Sequence, residues 1–304
     1  MDLLGQLLTL QTQLIVLIAA GVVVAKLGVI DEAGRKTLST LLIDLILPCN
    51  IICSFLGGTA FTAELVKNCL LAVLICAVLQ VVIVAGSALV FRRFPREKKV
   101  IMSYGMLCSN STFIGLPVSE ALYGPVGVMY ASIFQIPNRI VIWTLGLSWF
   151  TRERQKPDLK KLLLHPCIIS VFIGAGLMAL QIDLPAVAYE TLSALSRCTM
   201  PMSMLLIGAI LADADIKSLF SRDVLYFSFL RLIAFPLVIY AVLALLPLDP
   251  LLVSITVLLN AMPAGSLTSI MAEQYNCDSQ FASQAVFATT LLSMVTLPLL
   301  CLIL

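Results

Sequence analysis

Apolar runs of twenty or more residues recur along this chain, separated by short charged or glycine- and proline-bearing breaks. Such a run has the length an α-helix needs to cross the hydrocarbon core of a bilayer, about 20 residues at 1.5 Å each. The runs are continuous and do not alternate polar with apolar, so they do not fit the strands of a membrane barrel. Apolar residues make up 60% of the 304, charged residues only 12%, and the mean hydropathy is +1.05. A soluble domain carries about 25% charged residues. A soluble enzyme is therefore excluded, and so is a disordered chain. The sequence predicts an all-α polytopic membrane protein.

Ten spans can be drawn, near 7–27, 37–57, 66–91, 100–123, 126–150, 162–181, 187–211, 223–246, 251–275 and 280–304. Gly57-Gly58, Gly124-Pro125, Pro247 and Asp249-Pro250 supply breaks between them. The N-terminus, Met1 to Gln6, lacks the positive region of a cleaved signal, so the first run reads as a retained helix. Fifteen of the nineteen Lys/Arg fall in the odd-numbered loops, whereas the even-numbered loops carry Lys67 alone. The positive-inside rule then places the odd loops in the cytoplasm and both termini outside.

The charged stretch Thr151 to Lys161 divides the chain into 1–150 and 162–304, with five spans on each side and 151–161 as a cytoplasmic linker. An odd number of spans per half makes the second half enter the membrane in the opposite direction, the arithmetic of an inverted repeat. Span 2 reads Thr37-Leu38-Ser39, then Asp44 four residues before Pro48; span 7 reads Thr191-Leu192-Ser193, then Arg197 four residues before Pro201. Spans 4 and 9 are the least apolar. Span 4 carries Cys108-Ser109-Asn110-Ser111-Thr112-Phe113-Ile114-Gly115-Leu116-Pro117, and span 9 carries Asn260-Ala261-Met262-Pro263-Ala264-Gly265-Ser266. Proline removes a helix donor and glycine loosens the backbone, so both helices should be interrupted. In lipid an interruption is tolerated only within protein or against a watery cavity. Broken helices at matching places in two halves point to a transporter site.

Ser109-Asn110 with Gly115-Leu116-Pro117 and Leu122-Tyr123-Gly124 resembles the fourth helix of the auxin efflux carrier family. Asn260 to Ala264 with Ala272-Glu273-Gln274-Tyr275 resembles its ninth, and Thr289 to Ser293 with Leu297-Pro298 its tenth. The resemblance implies a fold similar to bile-acid symporters and sodium/proton antiporters, in which helices 4 and 9 are broken and cross at mid-membrane. It implies that helices 3–5 and 8–10 form a moving transport domain, with 1, 2, 6 and 7 as a scaffold and homodimer interface. Pro117, Gly115, Pro263 and Gly265 would then be crossover hinges, and Asn110 the crossover polar group. The short central loop resembles compact bacterial members, which are often assigned to malonate or malate, rather than plant members.

Candidate substrate-binding residues are Asn110 with its neighbours Ser109, Ser111 and Thr112, Asn260 and Ser266 in span 9, and Gln135, Asn138 and Arg139 on one face of span 5. A guanidinium suits a carboxylate, and a cation at mid-span needs a partner or cavity; a structural pair of Arg139 with Glu120 is the alternative. Asp44, Glu120 and Arg197 are candidates for ion coupling or for a charge pair, Asp44 with Arg197. Arg231, nearer the end of span 8, reads as a snorkelling residue. The single histidine, His165, reads as interfacial and excludes His-pair metal sites; nine cysteines without CxxC read as packing, and Asp213 and Asp215 as a solvated loop. No cofactor and no nucleic-acid partner is expected.

These readings predict a secondary transporter of a small organic anion in the bacterial inner membrane, working by elevator-type alternating access with a proton or sodium as candidate coupling ion. The alternative is a passive channel, which would need a continuous polar stripe. An intramembrane enzyme would need a nucleophile with a base, which the spans do not supply.

Overall fold

The computed structural model describes residues 3–56, 62–150, 164–212 and 221–304. The linker 151–161, the Gly57-Gly58 break and the Asp213/Asp215 loop lie outside the described residues. The described chain is helical: α1 (Leu3–Lys26), α2 (Glu32–Leu56), α3 (Ala63–Val90), α4 (Arg96–Leu107), α5 (Leu116–Val141), α6 (Pro166–Ala179), α7 (Ala186–Leu211), α8 (Arg222–Leu243), α9 (Pro250–Ala261), α10 (Leu267–Gln274) and α11 (Ser279–Cys301). Five of these, α2, α3, α7, α8 and α11, are long and apolar enough to cross a membrane. Leu70, Val81 and Leu89 stand exposed along α3, as expected of a helix that is apolar all round.

Proline leaves a repeated mark on these helices. Among the described residues four wide π turns occur; three of them, Leu42–Ile46, Ser111–Gly115 and Leu230–Ala234, end two residues before a proline (Pro48, Pro117 and Pro236), and the fourth, Ile142–Gly146, does not. The proline ring crowds the carbonyl four residues back and offers it no N–H, so the turn widens instead of breaking. Pro117 thus sits in a continuing helix, and the interruption of span 4 lies upstream at Cys108–Asn110. Pro263 acts differently. It forces the residue before it out of the helical region, and Met262 is extended (φ −61°, ψ 146°), which ends α9. Within α5 the chain kinks at Gly124 (φ 63°), where sequence reading divides spans 4 and 5.

The chain forms two compact units. The first comprises 1–69, 112–133 and 163–214, and holds α1, α2, α6, α7 and the first part of α5. The second comprises 70–111, 134–162 and 215–304, and holds α3 from Leu70 onward, α4 and α8 to α11. Each unit draws on both sequence halves. Residues 112–133, expected with the moving helices, pack with α1, α2, α6 and α7.

In the first unit α1 lies against α7 with main chains almost touching. A Cβ added at Gly208 would come within 2.0 Å of the Ile18 carbonyl oxygen, and one at Gly21 within 2.3 Å of that of Leu205. Small residues permit this approach, the usual way membrane helices gain contact without a hydrophobic driving force. The second unit is built on aromatic and sulfur side chains. Phe91, Met102, Tyr104, Phe227 and Phe281 are buried in one cluster, with the Tyr104 and Phe150 rings edge to face at 5.0 Å.

Candidate functional site

Two breaks meet in the second unit. After α4 ends, Cys108 leaves the helical region (ψ 85°), and Ser109 pairs antiparallel with Ala264. The Asn110 amide donates to the Pro263 carbonyl (2.7 Å), and the Gly265 amide donates to the Cys108 carbonyl (2.7 Å). This two-bond staple satisfies backbone groups that the breaks free in a water-poor setting, where an unpaired group is costly. Gly265 fits a close approach: a Cβ there would lie 3.0 Å from the Cys108 sulfur and 3.3 Å from its carbonyl oxygen, so the neighbours would have to give way by a few tenths of an ångström. Thr289 of α11 completes the arrangement by accepting from the Ala264 amide (3.2 Å).

Arg231 crosses this site, and the snorkelling expectation for it is overturned. Its side chain is 1% exposed. Nε donates to the Met262 carbonyl (3.0 Å) and Nη1 to the Met106 carbonyl (2.7 Å). Both carbonyls lie at helix C-termini, α9 and α4, where the backbone dipoles leave partial negative charge. One planar guanidinium therefore neutralises and joins two helix ends, which a lysine ammonium could not do with the same fixed fork. The π turn before Pro236 carries Arg231, and wide turns of this kind recur at functional positions. Nη2 is buried with no hydrogen-bond partner among the described residues.

Other candidates gather in the same unit. Asn110, Ser111, Gln135, Asn138 and Asn260 are buried, whereas Ser109, Ser266 and Arg139 are half-buried. Ser111 Oγ donates to Gln135 Oε1 (3.1 Å), which joins the span 4 and span 5 candidates. Asn138 Oδ1 has no partner among the described residues. Asn260 Nδ2 donates to the Thr256 carbonyl one turn back (2.8 Å), so this asparagine is engaged within its own helix. Thr112, Gly115 and Pro117 belong to the first unit.

The first unit has its own polar cluster. Glu120 Oε2 accepts from Asn50 Nδ2 (2.9 Å), and the same nitrogen reaches Ser196 Oγ (3.0 Å). Asn50 Oδ1, Ser119 Oγ, Thr199 Oγ1 and Ser203 Oγ are buried without partners among the described residues. Sequence reading passed over Asn50, although it is the one asparagine of span 2 and follows Pro48 by two residues. Asp44 and Arg197 are not brought together: both are exposed, and Arg197 donates to Ser193 Oγ (3.3 Å) one turn before it. His165 caps α6, its Nδ1 accepting from the Cys167 amide (3.3 Å). Among the described residues no group of His, Cys, Asp or Glu could hold a metal ion.

A family model described as membrane transport protein matches residues 7–301. An uncharacterized transporter of Methanothermobacter thermautotrophicus is 25% identical over 293 residues, covering 94% of each chain. Another, of Methanocaldococcus jannaschii, is 21% identical over 293 residues and covers 94% of each. A Rhizobium meliloti protein, provisionally named a malonate transporter, is 24% identical over 188 residues, 60% of this chain and 58% of its own. The chain belongs to the membrane transport protein family, that of the auxin efflux carriers, and is a multi-pass membrane transporter rather than an enzyme.

Proposed function

We propose that this protein is a secondary active transporter of a small organic anion, working by elevator-type alternating access in a plasma membrane of the bacterial inner-membrane type. The anion is a mono- or dicarboxylate of the malonate or malate kind, or an auxin-like acid. The observation that carries this reading is the pair of stapled helix breaks with a buried guanidinium across them. A fixed positive charge beside two broken helices lowers the cost of bringing a carboxylate out of water. In this reading Asn110, Ser109, Ser111, Gln135, Asn138, Asn260, Ser266 and Arg139 of the second unit line the anion site, with Pro263 and Gly265 shaping the break after α9. The name of the Rhizobium meliloti relative favours a dicarboxylate such as malonate.

The ten-span scheme belongs to the same proposal, with inverted repeats at 1–150 and 162–304, both termini outside and a homodimer. Glu120 is the proposed coupling group. Its carboxylate can gain or lose a proton, and its amide neighbour Asn50 can serve either state.

Proteoliposomes loaded with unlabelled malonate test the function. The expected result is saturable counterflow uptake of labelled malonate, reduced at least about tenfold by Asn110→Ala or Arg139→Ala, the size of one lost hydrogen bond to a charged group. Conductance without counterflow would convert the reading to a channel. Counterflow indifferent to both substitutions would remove the site assignment. Driving uptake with a proton gradient and with a sodium gradient identifies the coupling ion.

A further inference from the structure

Two cavities in the second unit, which share Val90 as a lining residue, form a groove between α3 and α8 that changes character along its length. Its inner part is a cavity of about 260 Å³ walled by Val82, Gly86, Val90, Leu230, Ala234 and Val238. Its outer part, about 560 Å³, shares Val90 and is walled by Arg92, Arg93, Arg222 and Tyr226. The apolar part is open at its floor, since a Cβ built on Gly86 would touch nothing within 4 Å. The basic part sits where two long apolar helices begin and end: Arg92 and Arg93 lie two and three residues past the end of α3, and Arg222 is the first of α8. That is the depth of the headgroups on whichever side of the membrane it faces. Asp223, the one carboxylate lining the mouth, is engaged by Lys98, so it does not cancel the three arginines. Phe94 and Tyr226 stack there at 5.8 Å, aromatic rings at the level where membrane interfaces favour them.

We infer that this groove binds an anionic phospholipid, with an acyl chain in the apolar part and the phosphate on Arg92, Arg93 and Arg222. Neither part alone selects such a molecule. A small anion would leave the valine-lined part empty, and a neutral lipid would leave three arginines without a counter-charge. A phospholipid with a net negative headgroup satisfies both, and basic pockets at the membrane surface between helices are suited to such headgroups. The site also adjoins the helix breaks. Met106, whose carbonyl receives Arg231, lines the apolar part, and Leu230 precedes Arg231 in the chain. An acyl chain seated there packs against the segment that holds the two breaks together.

The test uses the purified full chain in neutral detergent and follows the midpoint of thermal unfolding, which a ligand of the folded state raises by mass action. Dioctanoyl phosphatidylglycerol, dioctanoyl phosphatidylcholine and glycerol phosphate are the probes. Phosphatidylglycerol should stabilise the protein at the lowest concentration, and glycerol phosphate should not. The variant R92Q/R93Q/R222Q should need on the order of 100-fold more phosphatidylglycerol, about fivefold per arginine. Gly86→Phe should blunt the response to both lipids. Gly176→Phe, at an open position on α6 outside the groove, should leave it intact. Equal response to the two lipids, a triple variant that responds like the parent, or an effect reproduced by glycerol phosphate alone would each overturn the proposal. The arginines are exposed, so the triple variant remains informative even if Gly86→Phe does not fold.

Discussion

In the unit built on α3 and α8, a fully buried guanidinium is held by main-chain carbonyls; in the unit built on α1 and α2, a half-buried carboxylate is held by an amide side chain. The two hold a charge among helices to different depths and with different partners. Arg231 stays charged under all physiological conditions and meets acceptors that cannot move without moving a helix. Glu120 can change its charge, and Asn50 and Ser196 can turn to suit it. The difference separates a fixed electrostatic tie from an adjustable one. The tie suits structure at the breaks, and the adjustable group suits coupling.

The comparison can be broken first at Arg231. Replacing it by Gln leaves the Met106 and Met262 carbonyls without their shared donor, at a cost of about 2–5 kcal/mol for two buried groups. Thermal unfolding should fall accordingly and transport should vanish; Lys in its place should rescue charge but not both bonds, and restore only part of either. Gly208→Leu comes next. Its Cβ would collide with the Ile18 carbonyl, so α1 must move, at about 1–3 kcal/mol or more. Because that collision lies in the first unit, it should lower stability without changing the anion preference of whatever transport remains. Thr289→Val removes the acceptor of the Ala264 amide and should cost about 1–2 kcal/mol. Glu120→Gln is nearly isosteric and should cost the least, under about 1 kcal/mol by unfolding, yet it should flatten the pH profile of transport. If Glu120→Gln destabilises as much as Arg231→Gln, or leaves the pH profile unchanged, the distinction between fixed and adjustable charge fails.

Backbone chemistry was the most readable part of this sequence. Proline and glycine in spans 4 and 9 foretold two interruptions, because a missing N–H acts locally and needs no knowledge of neighbours. The exact place of the first was not readable: a proline can end a helix, as Pro263 does, or only widen a turn, as Pro117 does, and tertiary contacts decide which. Arg231 was misread for the same reason. Distance from the helix end suggested snorkelling, but its acceptors lie on segments far away in the chain. Matching Asp44 to Arg197 by repeat position suggested an ion pair, yet equivalent positions in two repeats need not face each other. Asn50 could have been found, as a lone amide within an apolar run.

The staple between Ser109 and Ala264 also bears on how this protein can vary. Its two hydrogen bonds belong to backbone atoms, so side chains around them can change while the joint persists. Alterations on either side of the joint act on one object, however distant in the gene. Paired substitutions at Cys108–Asn110 and Met262–Gly265 should therefore depart from additivity by about 0.5–3 kcal/mol. A change tolerated on one side would set which changes the other side can accept, and the two segments would drift as a single inherited trait.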